Sequence, residues 1–351
     1  MAMQIFQELN QRYCGLFDIP CIIHGSGEAA KKLIAIYAGQ GKKNNIRFIT
    51  DPDQKKADTQ IEGITIISPG DAVQQGLPIV IASQWAEDIM ARYRASGFEQ
   101  VLPSFFNRTR NSKPSPVLTQ IEQAYELLSD DDSKIVFKSR IERFLNAGKI
   151  SKSNYEQYFH PATPTGSVNV VLDLGACVGG NLSKFESHFS SCTDIVLLEP
   201  DKDNFSKLKV RANRTGVTRR VPLNLGVWSR KDKLVFLNSA NANHIGSARI
   251  LRDDISDKST TIEVTSIDTL CRELKLKPDF IKFDIEGAEI EALKGAENTL
   301  KEHKPALAVC VYHYMEDLWE IPNLIKALQP DYRFYLGHHS DNDWETVLYC
   351  F

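Results

Sequence analysis

The stretch that decides the fold is Val168-Asn-Val-Val-Leu-Asp173-Leu-Gly175-Ala-Cys177-Val-Gly179-Gly180. An apolar run that opens directly into small residues is the pattern of a buried strand turning into a helix. The reading places a strand over Val168–Leu174, a loop over Gly175–Gly180 and a helix to about His188. The same alternation repeats downstream. Asp194–Glu199, Val221–Leu225, Phe280–Asp284 and Ala306–Tyr312 read as strands, and Asp201–Arg214, Ala288–Leu300 and Leu318–Leu328 as helices. Lys233–Asn238 and Thr261–Ser266 are expected as extra extended segments around the polar insert Ser239–Ser259. That insert, with Asn241, Asn243, His244 and Ser247, is a candidate lid. Tyr332–Leu336 and Glu345–Cys350 stand only eight residues apart, too close for a crossover helix, so they must form an antiparallel hairpin. Strands alternating with helices give an α/β protein with a mainly parallel sheet.

Upstream, a smaller α/β unit is expected. Cys21–His24, Arg47–Thr50, Pro78–Ala82 and Gln100–Leu102 read as strands, Ala29–Gln40 and Gln84–Ser96 as helices. Composition then shifts at Asn107–Pro116 to a polar, proline-bearing linker. Val117–Gly148 reads as helical, with Ser133 as a helix start behind the acidic Asp130–Asp132. The resulting division is a Rossmann-like domain over 1–106, a linker and helical bridge over 107–160, and a larger domain over 161–351.

Composition narrows the functional classes. The chain has 351 residues, 42% apolar and 25% charged, with a net charge of −3, so no global field draws it to nucleic acid or a membrane. No apolar run reaches the length of a membrane-spanning helix, and the N-terminus lacks the pattern of a signal peptide, so a cytoplasmic protein is expected. Seven scattered cysteines read as small buried hydrophobes in a reducing compartment. The basic residues between Lys202 and Arg220 read as a solvated helix face, without the aromatic interleaving of a nucleic-acid surface.

Ligands of open parallel sheets bind outside the carboxyl ends of the strands. At those ends stand Asp173 with the glycine loop, and Glu199, 24 residues beyond Gly175 and placed to accept both hydroxyls of a ribose. An acid ahead of the first glycine suits a cationic amino group better than a pyrophosphate. With the C-terminal hairpin, this combination favours S-adenosylmethionine (SAM) over a dinucleotide. The next two strands end in Asp284-Ile-Glu286-Gly287 and Tyr312-His313. Either His313 or Asp284 is a candidate base for a hydroxyl proton. A divalent cation on Asp284, Glu286 and His313 would also suit a hydroxylated acceptor, but no metal is expected, since oxygen-rich ligand sets are not otherwise evident. His338 and His339 fall in the hairpin turn, facing the acceptor or solvent. In the first unit, Gly25-x-Gly27-x-x-Ala30 with Asp51 fits a relaxed dinucleotide fingerprint, although Glu28 would repel a pyrophosphate.

The blocks VLDLGACVGG, LLEPD, NLGVWS, IDTL, PDFIKFDIEGAEIEALKGAENTL and LAVCVYH…DLWEIP, in this order, resemble the FkbM-type family of SAM-dependent methyltransferases over about Val168–Phe351. The resemblance implies a class I (Rossmann-like) seven-stranded methyltransferase sheet with its last strand antiparallel, and O-methylation of a hydroxyl. It implies SAM as cofactor. Asp173, Gly175, Ala176 and Gly179 would hold its methionine part, Glu199 with Pro200 its ribose, and NLGVWS would add Asn224 and Gly226. Asp284, Glu286 and His313 are the implied catalytic set, acting on a hydroxylated small molecule or glycan, with no nucleic-acid partner and no membrane insertion. A nicotinamide-dependent sugar oxidoreductase or epimerase using the N-terminal loop, and a non-catalytic module of a glycan assembly, remain the alternatives.

Overall fold

The computed structural model describes residues 2–83, 85–103, 110, 116–213, 216, 218–237, 249–251 and 259–351. They fall into two compact units. One comprises Met1–Tyr125, Lys134–Ser151 and Tyr314–Glu316, the other Glu126–Ser133, Lys152–His313 and Asp317–Phe351. Most of the expected linker at Asn107–Pro116, and Asn241, Asn243, His244 and Ser247 of the insert, lie outside the described residues.

The first unit is a six-stranded sheet in the order β3-β4-β2-β1-β5-β6. Its strands are β1 (Cys21–His24), β2 (Ile46–Thr50), β3 (Gln60–Ile61), β4 (Ile64–Ile67), β5 (Ile79–Ile81) and β6 (Val101–Pro103). Its helices are α1 (Ala2–Gly15), α2 (Glu28–Gly39), α3 (Pro69–Gln74) and α4 (Ala86–Ala95). The β3–β4 hairpin was not expected. Its two-residue turn holds Glu62 and Gly63 at φ of 53° and 78°, the left-handed pair that matches the twist of a tight hairpin. Ile22, Ile79, Ile81, Met90 and Val101 form its core.

The expected helix over Val117–Gly148 is two helices, α5 (Leu118–Leu127) and α6 (Asp131–Asn146). Ser133 does not start α6. The Asp130 carboxylate accepts its N–H at 2.8 Å, an N-cap contact.

The second unit is a seven-stranded sheet built from β7 (Val170–Leu174), β8 (Asp194–Leu198), β9 (Arg219–Leu223), β14 (Phe280–Phe283), β15 (Ala306–Cys310), β16 (Phe334–His338) and β17 (Thr346–Cys350). Their order is β16-β17-β15-β14-β7-β8-β9. The last strand lies antiparallel between β15 and β16, and its pairing with β16 is the hairpin that the eight-residue gap requires. A four-stranded accessory sheet, β10-β13-β11-β12, comprises β10 (Gly226–Val227), β11 (Asp232–Leu237), β12 (Arg249–Leu251) and β13 (Ser259–Thr265). The helices are α7 (Leu182–His188), α8 (Lys202–Ala212), α9 (Ile267–Leu274), α10 (Glu289–Lys294), α11 (Glu297–His303) and α12 (Asp317–Leu328). Asp201 caps α8, accepting the N–H groups of Asp203 and Asn204. The expected third strand lies two residues earlier, at Arg219–Leu223, and the expected helix over Ala288–Leu300 breaks between α10 and α11. At that break a Cβ on Gly295 would stand 2.5 Å from the Trp228 carbonyl oxygen.

Two elements lock the centre of the sheet. Phe280 is fully buried against Phe185 and Phe189, with ring centroids 6.0 and 5.0 Å away. Gly175, at φ +78°, presses so closely on the end of β14 that a Cβ would meet the Asp284 carbonyl oxygen at 1.8 Å. The glycine is therefore needed for a backbone-to-backbone approach as well as for its left-handed conformation. Gly175→Ala is expected to lower the unfolding free energy by about 3 kcal/mol or more, since overpacking and a disfavoured φ act together. Urea denaturation checks this; a loss under about 1 kcal/mol would show that the loop and strand end are not rigidly joined.

Candidate active site

The carboxyl ends of β7, β8, β14 and β15 gather most of the residues singled out in the sequence. Beneath them lies a buried lysine. In the parallel register Lys282 of β14 stands beside Asp173 of β7. Its Nζ is 3.0 Å from Asp173 Oδ1, donates to the Gly175 carbonyl at 2.9 Å and lies 3.8 Å from Asp284 Oδ2. Lys282 is 1% exposed and Asp173 fully buried. Burial opposes the lysine's charge, but Asp173 and Asp284 outweigh it and hold its pKa above the ordinary value. For Asp173 burial prevails over Lys282, and its pKa is raised. The Asp173 carboxylate, read in the sequence as a direct cofactor ligand, thus has no accessible surface; it supports the loop from below.

The loop itself is tied to β8. The N–H groups of Gly175 and Ala176 both donate to the Leu198 carbonyl at 3.0 Å. Cys177, at φ 50°, donates its N–H to Glu199 Oε2 at 2.8 Å, and Asp201 N–H reaches Glu199 Oε1 at 2.9 Å. The Asn224 side chain donates to the carbonyls of Glu199 and Pro200 at 2.8 and 3.0 Å. Burial pushes the Glu199 carboxyl up to about 7 despite these two donors. Gly175, Ala176, Glu199, Pro200 and Asn224 therefore converge. Gly179 faces Leu208 of α8, and Gly226 lies buried in β10 against Val264 and Ile262.

On the other side stands Asp284, its side chain 23% exposed. Oδ1 accepts from the Tyr312 hydroxyl and Oδ2 from the Tyr158 hydroxyl, each at 3.0 Å. Burial opposes its ionisation, yet Lys282, His313 and the two phenols hold its pKa below the ordinary carboxylate value. His313 is enclosed by three acids. Nδ1 is 3.1 Å from Glu289 Oε1, and Nε2 is 3.6 Å from both Asp284 Oδ1 and Glu286 Oε2. Burial alone would depress the imidazole, but Glu289, then Glu286 and Asp284, raise it to about 10. The three acids thus favour the protonated imidazolium over a free base at neutral pH. Glu289, His313 and Asp317, all buried, bring their ligating atoms within 4.8 Å of one another, and this is a different set from the Asp284, Glu286 and His313 weighed in the sequence.

Other expectations resolve differently. His338 is fully buried in β16 with Nδ1 2.8 Å from Thr346 Oγ1. The His339 Nε2 is 2.9 Å from the Tyr349 hydroxyl, and burial takes its imidazole down to about 4. Arg219 and Arg220 pair with Asp194 and Glu186. In the first unit the Asp51 carboxylate is engaged by the Ser26 hydroxyl, by Asp53 N–H at 3.0 Å and by Lys56 at 3.2 Å. The sequence reading missed Lys282, Tyr158, Glu289 and the hydroxyl of Tyr312. Lys282 had a signal, a lone charge inside the apolar run FIKF. Tyr158 lies 126 residues from Asp284 and had none.

Comparison with known proteins bears on the family and the fold. Residues 173–338 match the family described as the methyltransferase FkbM domain. Over 128 residues, 35% of this chain, it is 31% identical to the hexuronic acid methyltransferase AglP of Haloferax volcanii, and it spans half the length of that curated relative. The crystal structure of a methyltransferase FkbM from Methylobacillus flagellatus KT superposes over 100% of this chain and 98% of its own, with a TM-score of 0.63 and 19% identity, a likeness of fold.

If the Lys282–Asp173 pair anchors the site, Lys282→Met should lower the unfolding free energy by about 3–5 kcal/mol, because it strands a buried carboxylate. Lys282→Met with Asp173→Leu should recover at least half of that loss in the same denaturation series. Equal losses in the single and double variants would show that the lysine acts without its partner.

Proposed function

With residues 173–338 forming a domain of the FkbM methyltransferase family, we propose that this chain transfers a methyl group from SAM to a hydroxyl of a sugar, in glycan or polysaccharide biosynthesis. The observation that carries the reading is the contact between Gly175 and Asp284. It sets a glycine loop and a ribose-type acid directly beside an ionised carboxylate at one end of one sheet. Sugar acceptors are favoured by the relative AglP, a hexuronic acid methyltransferase.

The residues fit the cofactor. Glu199 at the end of the second strand is the ribose acceptor, held in place by two N–H donors. Gly175, Ala176 and Gly179 shape the loop for the methionine part, Pro200 and Asn224 position Glu199, and Gly226 keeps β10 close to Pro200. Bound SAM supplies an electrophilic methyl group on a sulfonium. The chain's own work is to align a hydroxyl lone pair with it, and positioning provides most of such a rate.

The proton goes to Asp284. A hydroxyl becomes strongly acidic as its lone pair forms the new C–O bond, so a weakly basic but firmly ionised carboxylate suffices. His313 does not accept this proton. As a cation between Glu289, Asp284 and Glu286 it helps hold Asp284 ionised, and Glu286 orients the acceptor. The domain over 1–106 positions the acceptor. Cys21, Cys177, Cys192, Cys271, Cys310 and Cys350 are unpaired, and all of these but Cys177 are buried, which suits a reducing, cytoplasmic setting; no described helix is long and apolar enough to cross a membrane.

Three outcomes are expected. Asp284→Asn should lower kcat by about 10²–10⁴-fold with S-adenosylhomocysteine affinity nearly unchanged, measured by transfer of labelled methyl to uronic-acid glycans and by calorimetry. At saturating SAM, kcat should stay level from pH 6 to 9, below the His313 pKa of about 10. A limb near the ordinary histidine value that disappears in His313→Asn would return the base to the imidazole. The affinity for S-adenosylhomocysteine should fall as pH drops through about 7, because protonation of Glu199 removes an acceptor for the ribose hydroxyls. Glu199→Gln should bind more weakly and without that dependence. A wild-type affinity level across this range would remove Glu199 from the ribose.

A further inference from the structure

A second cleft lies in the first unit, at a place the sequence reading passed over. The order β3-β4-β2-β1-β5-β6 reverses direction at β1, and open α/β sheets hold ligands at such a switch point. There, a crevice of about 760 Å³ is walled by α3 and α4 and floored by His24, the last residue of β1. This volume lies in the range of small-molecule sites. Val73 and Ile89 provide its apolar wall, and Trp85, Asp88 and Arg92 line it from α4 and its start.

The chemistry of this lining is selective. Trp85 is 63% exposed, an indole that most folds would cover. Asp88 and Arg92 are exposed and engage no ion-pair partner among the described residues. His24 is 9% exposed and holds the Tyr93 hydroxyl on Nδ1 at 2.9 Å, which leaves Nε2 as its available hydrogen-bonding atom. Burial keeps this ring's pKa below the ordinary value. A nucleotide is disfavoured. The Gly25–Gly27 loop does not line the crevice, Asp51 is engaged elsewhere, and α4 begins with Glu87 and Asp88, which repel phosphate at its N-terminus.

An exposed aromatic plane with a carboxylate, a guanidinium and an imidazole lining the same crevice is instead a set for a polyhydroxylated ring bearing an acid. We propose that this crevice is a binding subsite for an acidic saccharide, with Trp85 stacking on the C–H face of a pyranose, Asp88 and His24 meeting its hydroxyls, and Arg92 pairing with its carboxylate. A guanidinium matches a carboxylate with two parallel hydrogen bonds, so Arg92 sets the preference for an acidic over a neutral sugar. That this ligand is part of the methyl acceptor rests on the function proposed above; that the crevice binds an acidic sugar does not.

The test uses the full chain, titrated with a glucuronic-acid-containing disaccharide and with its neutral glucose counterpart, followed by calorimetry and tryptophan fluorescence. The acidic disaccharide should bind more tightly than the neutral one. Trp85→Ala should weaken it by about tenfold or more, the scale of an aromatic anchor. Arg92→Gln should abolish the acid preference while retaining binding. Asp284→Asn should leave it unchanged. Trp85 and Arg92 are exposed, and unchanged thermal melting confirms that both variants fold. The proposal is overturned if the wild-type chain binds neither sugar, if Trp85→Ala and Arg92→Gln bind as wild type does, or if only Asp284→Asn loses binding, which would put the probe at the methyl-transfer site. Titration with S-adenosylhomocysteine is read separately. Failure there would remove the methyltransferase reading and leave the result at Trp85 and Arg92 standing.

Discussion

A lysine and an aspartate stand side by side, buried in the middle of the large sheet, and the geometry of the second unit is arranged around them. Lys282 and Asp173 are register partners on β14 and β7. An apolar pair of the same volume would pack at least as well, because desolvation of two charges offsets much of their attraction. What the apolar pair could not do is reach upward. The ammonium holds the Gly175 carbonyl, and so fixes the loop, and it lies 3.8 Å from Asp284, and so keeps that carboxylate ionised. One buried cation thereby joins the proposed cofactor loop to the proposed proton acceptor.

The same logic runs through the rest of the strand ends. Asp284, Glu286 and Glu289 would repel one another, and the enclosed His313 takes up that repulsion by becoming a cation. A histidine at a strand end beside an acid invites a base–acid reading, and that reading assumes a ring free to accept. Three carboxylates around one imidazole reverse it. The tyrosines act in the same direction, since Tyr158 and Tyr312 donate to Asp284 from opposite sides and favour its charged form.

Much of the fold was legible locally. Apolar runs marked nearly every strand of the large sheet, and the short separation of the last two strands required them to pair antiparallel. The misses share a cause. The β3–β4 hairpin is too short to show a period, and the breaks at Leu128–Asp130 and Gly295–Ala296 arise where the chain meets another element: Leu128 bridges to Phe334, and Gly295 abuts the Trp228 carbonyl. Such contacts leave no mark on local hydrophobic spacing.

From residues alone followed the α/β class, the antiparallel pairing of the last two strands, and the identities of the strand-end acids, because strand periodicity and turn chemistry are properties of neighbours in the chain; the seven-stranded sheet was implied by the family resemblance. The charge states and duties of those acids followed only from folding. Burial raises Glu199, two nearby cations and two phenol donors hold Asp284 down, and three carboxylates raise His313. Asp173 has no accessible surface, and Trp85 is left uncovered over a crevice. Each of these depends on distances between residues remote in the chain, and electrostatic energy depends on distance and burial, which a sequence does not state.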